Sequence, residues 1–197
     1  DSWFLTPITK KSPEVFEIGF EKGIPVSLNG KKMHGSLILQ TLNKEAGAHG
    51  FGREVYVEDE TIGIKGYQAF EAPGLLAIIR AHKSIEFAVL TRRQLSLKHI
   101  LSDLWADYAF TGLFYEPVME DIHALLDQNQ KVVTGSVKIK IDKNSSMCFE
   151  VNSPYSLFNT KIGSYAQKGS WTGKEMEGFV RFYSLQQRIA AMREKPK

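Results

Sequence analysis

The sequence is poor in cysteine, with Cys148 as the single example among 197 residues. One cysteine excludes an internal disulfide bond and is typical of a protein from a reducing compartment. No apolar run approaches the roughly 20 residues that a membrane helix needs. The first residues also lack the basic flank and apolar segment of a signal peptide. These absences predict a soluble cytoplasmic protein with no membrane partner.

The sequence has little excess charge of either sign. It contains 25 Lys and Arg against 22 Asp and Glu, for a formal net charge of +3, which is too small to indicate a nucleic-acid-binding protein. Lysines alternate with β-branched residues over 137–141. No aromatic residue is interleaved with them, so a solvated strand face is the favoured interpretation. We therefore expect no nucleic-acid partner.

Common catalytic motifs are missing as well. The sequence contains no G-x-x-x-x-G-K-[ST] phosphate loop, no G-x-S-x-G elbow and no zinc-ligand spacing. His49 follows a predicted helix, and His82 lies on an apolar helical stripe. We interpret both as structural residues, because no second histidine lies at ligand spacing. The sequence predicts no metal site and no catalytic residue in this chain.

Alternating strand and helix patterns fill most of the sequence. Period-two alternation predicts one hairpin over 15–33, with a turn at Asn29-Gly30, and a second over 131–151. Apolar residues at helical spacing predict helices over about 37–48, 73–89 and 92–110, and another from Pro117. Ser36 is predicted to cap the first helix, and Thr91 with Gln94 forms a capping box. The prediction is an α+β fold of antiparallel hairpins with a packed helical layer, the three consecutive helices lying against a sheet.

The end of the chain is predicted to be a helix from Glu175 to about Arg193 with two apolar stripes. One stripe contains Met176, Phe179, Val180 and Tyr183, and the other contains Phe182, Leu185, Ile189 and Met192, spaced as in a coiled coil. Two stripes require two partners. Two alternatives are equally supported. Both stripes are buried within the home domain, or one packs on the home domain and the other on a neighbouring subunit. The predicted organisation is an α+β domain over 1–174 and a C-terminal oligomerisation helix over 175–197.

Charged residues gather in the stretch from Val57 to Pro73. Three glycines flank its short β-branched runs, and its charged members are Glu58, Asp59, Glu60, Lys65 and Glu71. Strand alternation places Glu54, Tyr56 and Glu58 on one face and Val55 and Val57 on the other. Two interpretations are open: a polar pocket built on a sheet, or a surface hairpin with solvated charges.

The same stretch resembles argininosuccinate synthase. Residues 49–73 read H-G-F-G-R-E-V-Y-V-E-D-E-T-I-G-I-K-G-Y-Q-A-F-E-A-P, where that family has H-G-[IV]-G-R, then V-E-N-R, then G-x-K-S-R-G-x-Y-E-T-P. Residues 20–30, 133–137, 153–157 and 178–180 resemble further family segments in the same order. The resemblance therefore spans nearly the whole chain.

The resemblance implies an ATP-dependent C–N ligase of arginine biosynthesis. In that family ATP, with Mg²⁺, adenylates the ureido oxygen of citrulline, and the amine of aspartate displaces AMP. The family's nucleotide loop, S-G-G-x-D-x-S, lies in an N-terminal ATP-binding domain that this chain does not contain. The chain would then be the C-terminal synthetase and oligomerisation part of a homotetramer, inactive alone.

The resemblance also implies two citrulline-binding residues. Glu58 corresponds to the glutamate of V-E-N-R, whose carboxylate holds the amino-acid end of citrulline. Phe70 corresponds to the tyrosine of Y-E-T-P, whose hydroxyl also reaches citrulline. Phenylalanine cannot donate that hydrogen bond, so another group must compensate.

Departures from the family pattern leave a second hypothesis open. Besides Phe70, they are Asp59, Glu60, Gly66 and Tyr67. A chain that kept the fold and lost the chemistry would be a non-catalytic binding or assembly module.

Overall fold

A computed structural model of the protein describes residues 3–163 and 169–193. In chain order its elements are β1 (Glu14–Glu21), β2 (Ile24–Leu28), β3 (Lys31–Lys32), α1 (Gly35–Gly47), β4 (Arg53–Asp59), β5 (Lys65–Glu71), α2 (Pro73–Val89), α3 (Arg92–Phe110), α4 (Pro117–Gln130), β6 (Gly135–Asp142), β7 (Ser145–Asn152), α5 (Gly173–Tyr183) and α6 (Leu185–Ala191). The predicted α+β class is confirmed. The chain divides into two compact units, Asp1–Leu157 and Phe158–Lys197.

The first unit is built on a five-stranded sheet with the order β3-β2-β1-β6-β7. Both predicted hairpins are present, and β1 pairs antiparallel with β6 to join them into one sheet. The period-two pattern gives this sheet one core face. Its fully buried side chains include Phe16, Ile18, Phe20, Val137, Ile139 and Ile141.

Helices α1 and α2 pack on each other and on the sheet in one hydrophobic core. Ile38 and Leu42 from α1 and Ile85 from α2 are fully buried. The predicted cap of α1 is wrong by two residues. His34 is the cap, and its Nδ1 accepts a hydrogen bond from the Ser36 amide at 3.3 Å.

Helices α3 and α4 pack mainly against each other. The expectation that three consecutive helices lie on the sheet is therefore wrong for α4 and for most of α3. Leu95 in its first turn reaches the core, but no residue of α3 is fully buried. In α4, Met119 and Ile122 are buried. The Thr91–Gln94 capping box at the start of α3 is confirmed.

His49 and His82, the two histidines considered in the sequence analysis, both have polar partners. Nε2 of His82 lies 2.9 Å from Oε1 of Gln130, whose amide nitrogen donates to Glu86 at 2.9 Å. His82 is hydrogen-bonded as predicted, but it is only partly buried rather than in the core. His49 is fully buried just after α1, and its Nε2 lies 3.3 Å from the Glu14 carboxylate.

The second unit contains α5 and α6 among its described residues. The helix begins at Gly173 rather than Glu175 and is interrupted at Ser184, so the prediction of one continuous helix is wrong. Thr172 and Glu175 form a capping box. Both predicted apolar stripes are exposed, at Met176, Phe179, Val180, Phe182, Tyr183, Leu185, Ile189 and Met192. Residues 194–197 of the predicted oligomerisation helix lie outside the described residues.

Within the described part of the chain, no helix combines the length and apolar character needed to cross a bilayer.

Candidate functional site

The charged stretch forms a two-stranded antiparallel ribbon of β4 and β5, separate from the five-stranded sheet. Its register pairs Arg53 with Glu71 at the base and Asp59 with Lys65 at the tip. Seven residues per strand make the ribbon about 20 Å long. Beyond its base, the ribbon makes few contacts with the other described helices and strands. Its two faces are therefore defined mainly by its own side chains.

The base of the ribbon is fixed where both strands meet α1 and α2. Gly52 has φ +84°, and a Cβ at this position would lie only 2.4 Å from Cα of Pro73. The Ala72 amide donates to the Gly52 carbonyl at 2.9 Å. One residue into α2, the Gly74 amide donates to the Asn43 side chain of α1, also at 2.9 Å. The ribbon thus extends from a tightly packed junction.

One face of the ribbon carries ion-paired side chains, and we call it the paired face. At the tip, the Asp59 carboxylate lies 2.6 Å from Nζ of Lys65. At the base, Nε of Arg53 lies 3.2 Å from Oε1 of Glu71. Every charged strand residue on this face has an opposite charge within reach.

Glu71 also attaches the N-terminal segment to the ribbon. Its Oε2 accepts hydrogen bonds from the Leu5 amide at 3.2 Å, the Thr6 amide at 3.1 Å and the Thr6 hydroxyl at 3.0 Å. Arg53 donates to the Thr6 carbonyl. Burial raises the pKa of Glu71, but the hydrogen bonds from Thr6 and Leu5 and the Arg53 charge outweigh it, so the pKa lies below its usual value. This carboxylate has a structural role.

The opposite face, which we call the acidic face, differs in its charges. It consists of Glu54, Tyr56, Glu58, Glu60, Gln68 and Phe70, together with Gly66. Among the described ion pairs, none involves Glu54, Glu58 or Glu60. Oε1 of Glu60 accepts a weak hydrogen bond from Gln68 at 3.4 Å. Carboxylates that lack a protein cation are suited to bind a cationic group of a ligand.

Both sequence-predicted site residues lie on the acidic face. Glu58 is half-buried opposite Gly66, and Phe70 is 38% exposed opposite Glu54. Tyr56 lies between them along β4. Its ring meets the Phe70 ring edge-on, with centroids 5.6 Å apart and an interplanar angle of 82°. The cross-strand register therefore places Glu58, Tyr56 and Phe70 next to one another on the acidic face.

Tyr56 has a role in this geometry that the sequence did not indicate. Partial removal of its hydroxyl from water and the charge of nearby Glu58 raise the pKa of Tyr56 above its usual value. Strand alternation predicted that Tyr56 shares a face with Glu58. It could not show the ring contact with Phe70, which depends on the cross-strand register.

Within the described residues, no group of three or more His, Cys, Asp or Glu side chains could hold a metal ion. The sequence has no Walker phosphate loop. A cleft of about 510 Å³ opens on the paired side of the ribbon, lined by Phe4, Ile8, Arg53, Val55, Lys143 and Asn144. It does not include the acidic face.

Comparison with known proteins gives one consistent result. The family model described as the arginosuccinate synthase C-terminal domain matches residues 3–190. The chain is 36% identical over 196 residues to argininosuccinate synthase of Methanocaldococcus jannaschii, covering 100% of this chain and 49% of that protein. The corresponding protein of Hyperthermus butylicus is 38% identical over 193 residues, covering 96% and 48%. The chain spans about half the length of the curated relatives it matches.

Proposed function

Since the chain belongs to the argininosuccinate synthase family through its C-terminal domain, we propose that it is the C-terminal part of a ligase that joins citrulline to aspartate. In the complete protein, ATP would activate the ureido oxygen of citrulline by adenylation, releasing pyrophosphate. The amine of aspartate would then displace AMP. The observation that carries this proposal is the similarity over nearly the whole chain to proteins of that name.

We assign the amino-acid end of citrulline to the acidic face. Glu58 is half-buried and has no lysine or arginine partner among the described residues, so its carboxylate is available for the α-ammonium group. A charge-assisted hydrogen bond of this kind is stronger than a neutral one. Phe70 forms the apolar wall beside it. Glu54 and Glu60 add negative potential on the same face, which favours the approach of a cation.

ATP and Mg²⁺ belong, in this proposal, to an N-terminal ATP-binding domain outside the chain. The relatives are about twice as long as the matched segment, which leaves room for such a domain. Because that domain would bind both groups, we expect the chain alone to be inactive. The ribbon's exposed acidic face would be closed by that domain. The single cysteine fits a cytoplasmic enzyme.

We further propose that the complete protein is a homotetramer held together through α5 and α6. The support is the exposure of both apolar stripes, in which Phe182 is 77% and Met192 74% exposed. Apolar surface of this extent on a helix favours contact with another chain.

A single substitution in the complete protein tests the assignment of Glu58. Glu58→Gln keeps the side-chain shape and removes the charge, so we expect the KM for citrulline to rise about tenfold or more, from the loss of a charged hydrogen bond. The KM values for ATP and aspartate should change little. The measurement is steady-state argininosuccinate formation.

Asp59→Asn is the matched control. It removes the neighbouring charge from the paired face, where Asp59 contacts Lys65, and such an exposed pair contributes little to stability. An unchanged citrulline KM in Glu58→Gln would contradict the assignment of Glu58. If the unmodified complete protein forms no argininosuccinate, a binding or assembly module of the same fold is the better interpretation.

A further inference from the structure

Tyr56 lies on the acidic face between the two proposed citrulline contacts, and the proposed function assigns it no role. It follows Glu54 and precedes Glu58 on the same side of β4, and it lies opposite Gln68 of β5. Its ring contacts Phe70 edge-on, and Glu58 lies close enough for its charge to raise the pKa of the Tyr56 hydroxyl. Contact with Phe70 therefore orients the ring, and the hydroxyl has Glu58 as a neighbour.

The hydroxyl remains within reach of a ligand. Tyr56 is 41% exposed, so the pair that it forms with Glu58 is open to solvent. The other polar groups of this face cannot replace it in this position. Phe70 has no polar side-chain atom, and the amide nitrogen of Gln68 is directed to Glu60 at 3.4 Å. Among the described residues of the acidic face, Tyr56 alone carries a hydroxyl.

Resting on the proposed role of Glu58, we propose that Tyr56 is a further binding residue for the amino-acid end of citrulline. Its hydroxyl donates a hydrogen bond to the Glu58 carboxylate and accepts one from the substrate α-ammonium group. An ammonium group has three N–H donors, and a phenol oxygen can donate and accept at once. Glu58 and Tyr56 then satisfy two of the three donors, and the contact with Phe70 holds the phenol ring in position.

The protonation state of the phenol agrees with this role. The pKa of Tyr56 is raised above its ordinary value of 10.0 by its partial removal from water and by Glu58. The hydroxyl therefore keeps its proton across the neutral range and remains a donor to the carboxylate. A phenolate beside Glu58 would instead repel it.

Tyr56→Phe in the complete protein tests the proposal, because it removes the hydroxyl and keeps the ring. We expect the KM for citrulline to rise about tenfold, with kcat, the KM for aspartate and the melting temperature nearly unchanged. Tyr67→Phe is the matched control. Tyr67 is the other tyrosine of the ribbon, 74% exposed and directed to the paired face, so the same loss of a hydroxyl there should leave the citrulline KM unchanged.

A double-mutant cycle separates this proposal from the proposed function. If Tyr56 acts together with Glu58, the double variant will raise the citrulline KM by less than the product of the increases in Tyr56→Phe and Glu58→Gln. Fully multiplicative effects would overturn the shared contact. If Glu58→Gln raises the citrulline KM and Tyr56→Phe does not, the role of Tyr56 is wrong and the proposed function stands. If neither does, both assignments fall.

Discussion

Neighbouring residues of β4 have different partners because a strand directs successive side chains to opposite faces. Asp59 points to the paired face and contacts Lys65 at 2.6 Å. Glu58, one residue earlier, points to the acidic face and has no such partner among the described residues. Two carboxylates of the same charge and nearly the same position thus differ in their availability to a ligand.

At the residue scale, Glu71 gives a prediction about pH. Its pKa lies below the usual 4.5, so its ionised form contributes stability that is fully present above the unfolded-state pKa. This contribution is lost as the pH falls through the lowered folded-state pKa. Glu71→Gln should lower stability by about 1 kcal/mol at pH 7 and reduce the loss of stability between about pH 5 and pH 3. Thermal unfolding at a series of pH values measures both effects.

Glu54→Gln is the control for this pH series. Glu54 is half-buried on the acidic face, and no described ion pair or hydrogen bond involves its side chain. Glu54→Gln should leave the dependence of thermal stability on pH the same as in the unmodified protein. A Glu71→Gln protein with unaltered acid dependence would show that Glu71 does not hold the N-terminal segment as described.

The sequence predicted which residues share a face but not which of them form ion pairs. Alternation alone placed Tyr56 with Glu58, and the structure confirms this placement. The partners of Glu71 could not be predicted, because Thr6 lies 65 residues away. The resemblance named Glu58 and Phe70 as site residues, and their role remains a proposal. It gave no role to Tyr56, whose contact with Phe70 exists only in the folded register.

At the element scale, the direction of the ribbon depends on Gly52. A Cβ there would meet the Pro73 backbone at 2.4 Å, and φ is +84°. Gly52→Ala should therefore destabilise the protein by about 2 kcal/mol or more, through positive φ and a backbone clash together. Denaturant unfolding gives the change in free energy.

Gly63→Ala is the control that separates the two effects. Gly63 lies in the ribbon turn with φ +79°, but no atom lies within 4 Å of its added Cβ. Gly63→Ala should lower the free energy of unfolding by only about 1 kcal/mol, because only the backbone conformation is strained. Equal losses of stability in the two variants would contradict the close packing at the base of the ribbon.

Helix ends with a strong local signal were predicted correctly, and two helix ends without one were not. The capping box at Thr91 and the start of α2 at Pro73 follow from local chemistry, and both are present. The cap of α1 is different, because an exposed side-chain nitrogen of His34 replaces the predicted Ser36 hydroxyl. The interruption at Ser184 was also not predicted.

At the scale of the whole molecule, the joining of two distant hairpins creates the sheet. Val15 of β1 pairs with Lys140 of β6, and no local pattern specifies a contact of such sequence separation. The pairing places the α1–α2 layer over a single core, from which the ribbon extends. The sequence predicted the hairpins and the class, whereas the strand order had to come from the structure.

The proposed assembly gives a prediction at the same scale. Truncation of the complete protein before Gly173 removes α5 and α6 with both exposed apolar stripes. We expect the particle mass to fall from that of a tetramer to that of a smaller species, because the exposed apolar area no longer holds the chains together. Light scattering coupled to size-exclusion chromatography measures the mass. A truncated protein that remains a tetramer would contradict the role of these helices.

The most direct test of the central claim is the dissociation constant of citrulline for the complete protein, measured by titration calorimetry with Glu58→Gln beside Asp59→Asn. If the acidic face holds the amino-acid end of citrulline, the Glu58→Gln protein will bind citrulline about tenfold more weakly or worse. The Asp59→Asn protein, altered at the adjacent residue on the paired face, will bind it as the unmodified protein does. Equal citrulline affinity in all three proteins would contradict the assignment of the site to this face.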